Sequence, residues 1–188
     1  EESNEGCASL HEDDFEGYAP GGSIDQQNGW YKFSGTEGAT INSGDWGNHL
    51  QIENSNTEQS ALWQFSDFVP AEGSFVVAWD VFVPAQKLAV CAIYTAPDAN
   101  NNIFPVAGVV YEGEGEYNGS PWMHFEYAID TENQKSILSK NGEVLTTDDL
   151  LSDGVPTFMT FQTFVNGEQI DAEFYIDNLE ILPFECGT

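Results

Sequence analysis

Arginine is missing from this chain, and lysine occurs four times, at Lys32, Lys87, Lys135 and Lys140, against 32 aspartates and glutamates. An average chain is about 25% charged with both signs represented. The formal charge of −28 therefore comes more from the near-absence of bases than from an extreme load of acids. That absence excludes partners. Nucleic acid and anionic membranes are held by neutralising phosphate with Lys and Arg, and sulfated or uronic polysaccharides by the bidentate guanidinium clamp. A surface of this kind instead suits saline surroundings, where salt screens self-repulsion, and divalent cations.

Long apolar runs are missing too. No stretch approaches the ~18 apolar residues of a membrane-spanning helix. The chain opens at Glu1 on a polar, acidic segment without an initiator methionine. That reads as a mature product of signal-peptide removal, at the cell surface or outside it. Cysteine is scarce. Cys91 lies in the apolar run Leu88–Tyr94 and reads as a buried free thiol. Cys7 and Cys186 lie near the two ends, which are often close in space in such domains. A Cys7–Cys186 disulfide in an oxidising compartment is expected, the alternatives being unpaired thiols or bridges between chains.

Aromatic side chains are plentiful: 13 Phe, 5 Trp and 7 Tyr among 188 residues, in a chain that is 40% hydrophobic. That load argues against disorder in spite of the charge. The length suits one domain able to bury roughly 70% of its unfolded surface without staples. Apolar residues recur with period 2, between Gly, Pro, Asn and Asp punctuation. The pattern predicts strands over 13–18, 29–34, 49–53, 61–65, 74–83, 88–95, 106–112, 122–129, 135–139, 157–165 and 172–182. A single helical turn near Thr147–Leu151 is the one hint of a longer period. Phe75, Val77, Trp79, Val81 and Val83 alternate with Val76, Ala78, Asp80 and Phe82, so this strand is largely apolar on both faces and central. Met123, Phe125, Tyr127 and Ile129 alternate with Trp122, His124, Glu126 and Ala128, giving one apolar and one mixed face. About a dozen strands with short turns make an all-β, antiparallel two-sheet β-sandwich over residues 13–188. Residues 1–12 are a polar tail or edge segment.

Three stretches carry a resemblance. Asp13-Asp14-Phe15-Glu16-Gly17-Tyr18 with Gln27-Asn28-Gly29-Trp30 resembles the opening of many bacterial extracellular jelly-roll domains, and Phe174-Tyr175-Ile176-Asp177-Asn178-Leu179 resembles their last strand. Ile129-Asp130-Thr131-Glu132 with Ser139-Lys140-Asn141-Gly142-Glu143 is similar to a hairpin of laminin-G/concanavalin-A-like domains, in which Asn-Gly supplies a positive-φ turn. The resemblance implies the jelly-roll sandwich. It also implies calcium, because carbohydrate-binding modules with similar ends hold a structural Ca²⁺ between the first and last strands, and Glu16 and Asp177 match their acidic positions. Calcium takes six to eight hard oxygens. Residue parity adds a hint of its own. Phe174 and Ile176 share one parity, Leu179 and Ile181 the other, so the strand either bulges at Asp177-Asn178 or turns Asp177 onto an apolar face.

Catalytic signatures are lacking. Retaining glucanases of this fold place two glutamates on one face of a strand. Glu126, Asp130 and Glu132 have the wrong spacing for that and read as solvated acids beside a turn. Lyases of the fold use arginine. His11, His49 and His124 show no metal-ligand spacing, and no Ser-His-Asp order stands out, so the reading leans away from an enzyme. Glycan binding needs aromatic platforms beside amide or carboxylate groups. The candidate ligand-binding residues are Trp46 and His49 in and after a Gly-flanked loop, Tyr117, and Trp122, His124 and Glu126 along one strand face. The plain alternative for each aromatic is packing, to which Trp30, Trp63 and Trp79 are assigned. The expected function is a calcium-stabilised carbohydrate-binding module for neutral glycans. The alternative is a structural, self-assembling extracellular protein (filament, sheath or matrix subunit) whose partners are copies of itself.

Overall fold

The structure is a computed structural model that describes residues 8–32, 39–53, 61–64, 73–100, 102–113, 122–165 and 168–186, with the side chains of 61–64 and 169 outside the description. Its strands are β1 (His11–Asp13), β2 (Trp30–Lys32), β3 (Ala39–Gly44), β4 (Gly47–Glu53), β5 (Ala61–Gln64), β6 (Phe75–Phe82), β7 (Leu88–Thr95), β8 (Pro105–Glu112), β9 (Met123–Asp130), β10 (Lys135–Lys140), β11 (Glu143–Asp149), β12 (Pro156–Gln162), β13 (Phe164–Val165), β14 (Glu168–Gln169) and β15 (Glu173–Pro183), followed by a 3₁₀ turn at Phe184–Cys186. The large sheet runs β11-β10-β9-β6-β15-β4-β3, with β1 also pairing β15. The small sheet runs β2-β5-β12-β7-β8, and β13 and β14 form a separate ribbon. All these strand pairs are antiparallel.

The core lies where the two sheets face each other. Phe75, Val77, Trp79 and Val81 of β6 are buried there with Cys91, Ile93, Phe125, Met159 and Phe161. Trp79 stacks on Phe125, ring centroids 5.8 Å apart, and meets Phe161 edge-on at 5.7 Å. Each such side chain contributes about 1.5–3 kcal/mol by leaving water. Cys91 is a free, buried thiol whose pKa is raised by burial. Cys186 is buried, while Cys7 lies outside the described residues, so their pairing stays a proposal.

The opening motif has a physical reason. The Asp13 side chain is 6% exposed and accepts four hydrogen bonds. The Phe15 amide donates to Oδ1 at 3.1 Å. Tyr18 Oη, Asn28 Nδ2 and Trp30 Nε1 donate to Oδ2 at 2.8, 3.2 and 2.7 Å. A buried carboxylate without a cation is tolerable only when its lone pairs are met in this way. The hub binds the turn after β1 to β2 in the opposite sheet, and Phe15 and Trp30 pack with centroids 6.0 Å apart.

Two expectations need correction. The strand placed at 13–18 ends at Asp13, because Phe15 takes a φ of 56° and the Asp13 and Asp14 carboxylates cap the amides of Phe15 and Glu16. The helical turn at Thr147–Leu151 is the end of β11 and the loop beyond it. Asn141 (φ 50°) and Gly142 (φ 79°) turn the chain back on β10, and the β-branched Val144, Thr146 and Thr147 then pair along it. His11 and Glu12 sit in the sheet, paired with Ile181 and Glu180. The parity change in β15 is a bulge: the register with β6 shifts between Asp177 and Glu180, and Asn178 has a φ of 49°.

Asp13→Ala strands three side-chain donors and one amide around an empty site. It is expected to cost about 3 kcal/mol or more, from several unmet buried donors at about 1–3 kcal/mol each. Urea unfolding measures this, and a loss below about 1 kcal/mol would show that water replaces the carboxylate there.

Candidate functional site

The outer face of the large sheet carries the polar counterpart of the core. Strand alternation places Phe82, Asp80, Ala78 and Val76 of β6 on it, and the register sets their neighbours. Phe82 pairs with Tyr175, which pairs with Gln51. Asp80 lies between Asp177 and His124. Ala78 lies between Glu180 and Glu126, with Glu12 beyond the first and Ser139 beyond the second. One row of the face thus reads Glu12, Glu180, Ala78, Glu126, Ser139 across five strands.

His124 sits in the middle of these acids. Its Nδ1 is 2.9 Å from Asp80 Oδ1 and its Nε2 3.9 Å from Glu126 Oε1. The bond to Asp80 raises the His124 pKa above its ordinary 6.5, burial opposing, with Asp80, Glu126 and Glu180 adding charge attraction. Desolvation alone would raise Asp80, but its bonds to His124 and to Asn178 Nδ2, at 2.9 Å, outweigh that and hold it low. Asp80 therefore lends stability that is lost as pH falls through its depressed value. His124 lends stability that is lost as pH rises through its raised one. The pair contributes fully only between about pH 4 and 6.5. Asp177 goes the other way: desolvation, then the charges of Asp80, Glu16 and Asp14, push it up to about 6, although the Asn178 amide donates to it.

Aromatic rings border this polar field. Trp46, in the turn between β3 and β4, is 56% exposed. It meets Trp122 edge-on at 6.5 Å, Trp122 meets His49 at 5.7 Å, His49 meets Tyr175 at 5.6 Å, and Tyr175 stacks on Phe82 at 5.5 Å. Burial lowers the His49 pKa, against a contact with the Gly47 backbone. The turn is set from the opening loop. Glu16 Oε1 accepts the Asn48 amide at 3.0 Å, and Asn48 Nδ2 donates to the Tyr18 carbonyl at 3.0 Å. Gly47 takes a φ of 89°, which strains any side chain, and a Cβ there would also push aside the Glu16 carboxylate that holds the Asn48 amide.

Of the residues expected to bind ligand, Trp46, His49 and Trp122 meet in one cluster. His124 and Glu126 follow on the same face, and Tyr117 lies outside the described residues. Asp80, Tyr175, Phe82, Asn178 and Glu180 share the face but not the sequence-based selection. Asp80 had a signal, as the lone charge in an apolar strand. Asp130 ends β9 and caps the turn after it, accepting the amides of Glu132 and Asn133 at 3.1 and 3.0 Å. Glu16 and Asp177 are close enough for one to shift the other. Among the described residues, however, no three His, Cys, Asp or Glu side chains converge as metal ligands. Calcium also draws on backbone carbonyls and water for its six to eight oxygens.

No family model and no curated protein matches the chain. Solved structures do. A sialidase aligns with a TM-score of 0.64 at 15% identity over 93% of this chain, which spans 18% of that one. An endo-1,3-β-glucanase from Streptomyces sioyaensis aligns at 0.62 and 12%, over 95% and 96%. A xylan-binding domain from Paenibacillus barcinonensis aligns at 0.54 and 12%, over 95% and 96%. The fold is a concanavalin-A-like jelly roll. Among the described residues of this jelly roll, no helix is long and apolar enough to cross a membrane.

The three histidines report the electrostatics directly. In an NMR titration His124 is expected to titrate above 6.5, and His49 and His11, desolvated by burial, below it. Asp80→Asn should bring His124 down toward the others. A His124 midpoint at or below that of His49 contradicts the arrangement.

Proposed function

We propose that the outer face of the large sheet binds neutral carbohydrate, with the protein acting as a secreted or cell-surface binding module. The observation that carries this reading is the exposed Trp46 ring, packed against Trp122, which precedes His124 and its partner Asp80 on the same face. A pyranose offers an apolar C–H face and a rim of hydroxyls. The C–H face stacks on an indole, and the hydroxyls donate to carboxylates held in fixed places. Asp80, Glu180 and Glu12 supply acceptors, and with the buried Glu126 beside them they repel uronate and sulfate. The glucanase and the xylan-binding domain are named for polysaccharides, which agrees with the reading at the level of fold. The Cys7–Cys186 bridge belongs to the same proposal, as the mark of an oxidising compartment.

Glucans, galactans, mannans or xylans are expected to be retained above alginate, ulvan or heparin on a glycan array. Trp46→Ala should weaken the best neutral ligand at least tenfold, about 1.4 kcal/mol, with the melting temperature unchanged. Capture of sulfated or uronic polymers in preference, or unchanged affinity in the variant, overturns the proposal.

Calcium enters as a stabiliser. The similarity of the two chain ends supports it, as does the desolvated Asp177 among Asp80, Glu16 and Asp14, a carboxylate that gains from any cation. Millimolar CaCl₂ should raise the melting temperature beyond NaCl of equal ionic strength, because an ion that binds only the native state stabilises it by mass action. Asp177→Asn should remove that increment. Identical melting in the two salts excludes the ion.

A further inference from the structure

The outer face of the large sheet continues past the row that runs from Glu12 to Ser139. Strand register sets Ile137 of β10, Ala128 of β9, Val76 of β6 and Leu182 of β15 side by side in the next row, so an uncharged row follows an acidic one. The 3₁₀ turn Phe184–Cys186 packs against β6 and β9, and Phe184 walls a pocket of about 270 Å³ at this end of the face. Val76 and Ala128 line it from the middle of the sheet, Ile137 and Val144 from β10 and β11. The rest of the lining is polar, Glu126 and Ser139, which are neighbours in the register of β9 and β10.

Ser139 is the anomaly. It is 7% exposed, it lines the pocket, and among the described residues its hydroxyl has no hydrogen-bond partner. A buried hydroxyl left unmet is costly, and the cost is recovered when a ligand bonds to it. Glu126 is in a different position, since His124 Nε2 lies 3.9 Å from its Oε1 and sets a base beside the acid. What the pocket lacks is a cover for its apolar walls and a partner for a hydroxyl, rather than a cation.

We infer that this pocket takes the acetamido group of a 2-acetamido-2-deoxy sugar, which rests on the carbohydrate reading of the face and narrows it to one class of neutral glycan. An acetamido group carries a methyl, a carbonyl acceptor and an N–H donor. The methyl leaves water against Val76, Ala128 and Ile137. The carbonyl accepts from Ser139 Oγ, and the N–H donates to the Glu126 carboxylate, which has only acceptor sites when ionised. A 2-hydroxyl leaves the apolar walls uncovered, and a 2-ammonium group competes with His124 for Glu126. The volume lies just under the ~300–1,000 Å³ of ordinary ligand sites, so the pocket holds one sugar unit with its substituent. Six residues separate Trp122 from Ala128, ~20 Å along the strand, and a sugar chain stacked on Trp46 reaches the pocket several units further on.

The test compares matched oligosaccharides long enough to span the face, built on glucose, galactose or mannose and carrying hydroxyl, acetamido or ammonium at C2. Affinities are measured by calorimetry in about 1 M NaCl, where the screening length is ~3 Å and the chain's charge of −28 no longer holds the ammonium members. In at least one set the acetamido member is expected to bind about tenfold more tightly than its hydroxyl counterpart, and its methyl signal to receive the strongest saturation transfer from the protein. Ser139→Ala removes an unmet hydroxyl, so it should keep the melting temperature, lose most of the acetamido preference and leave the affinity for the hydroxyl member unchanged. Ala128→Leu, which fills the pocket, should lose the preference too. Equal affinity for the acetamido and hydroxyl members of every set, tighter binding of the ammonium members, or a preference that Ser139→Ala retains overturns this inference. Hydroxyl members that bind in those cases leave the neutral-glycan reading standing, whereas binding of neither neutral class overturns both.

Discussion

The buried carboxylate of Asp13 is the constraint from which the rest of the molecule is positioned. It lies at the end of β1, on the last strand of one sheet, and takes its fourth hydrogen bond from Trp30 in the other. Three donors of the opening loop converge on it, so the loop has one conformation. Glu16, from that same loop, then holds the Asn48 amide and fixes the turn that presents Trp46. An exposed aromatic on a hairpin tip would otherwise sample many directions. Here its backbone is tied to a buried group some thirty residues earlier.

The outer face is costly to assemble in a different way. Glu12, Glu180 and Glu126 lie in one row and Asp177, Asp80 and His124 in the next, with one base among five acids. Asp80 is held ionised by the two donors that reach it, His124 and Asn178. Asp177, at the bulge, accepts among the described residues the neighbouring Asn178 amide and is driven toward protonation. Surplus acceptors of this kind serve a ligand rich in donors. They do nothing for an anion, and they make the stability of the sheet depend on pH and salt.

Much of this arrangement was legible from residue order. The alternation over β6 and β9 separates core from outer face, and it put His124 and Glu126 on the mixed side. The Gly-flanked Trp46 was readable as exposed, and the parity change at Asp177 as a bulge. Where expectation failed, local physics hid the answer. The stretch 13–18 has the apolar spacing of a strand, but the Asp13 and Asp14 carboxylates cap the amides after them and turn the chain. The edge strands β3 and β11 carry too few apolar residues to mark a face. Tyr175, Phe82 and Glu180 join the site only through strand register, which no single stretch of sequence displays. The loop of Asp13 with Tyr18, Asn28 and Trp30 was visible as a motif, although its cause, one carboxylate with four donors, was not.

The most direct measurement is the NMR spectrum of the tryptophan indole N–H groups during titration with neutral oligosaccharides of the glucan, galactan, mannan and xylan classes. The account predicts that the Trp46 and Trp122 signals move with a common saturation curve, while those of Trp30 and Trp79, buried in the core, stay in place. Titrations in which no indole signal moves, or in which Trp30 or Trp79 responds while Trp46 does not, would contradict it.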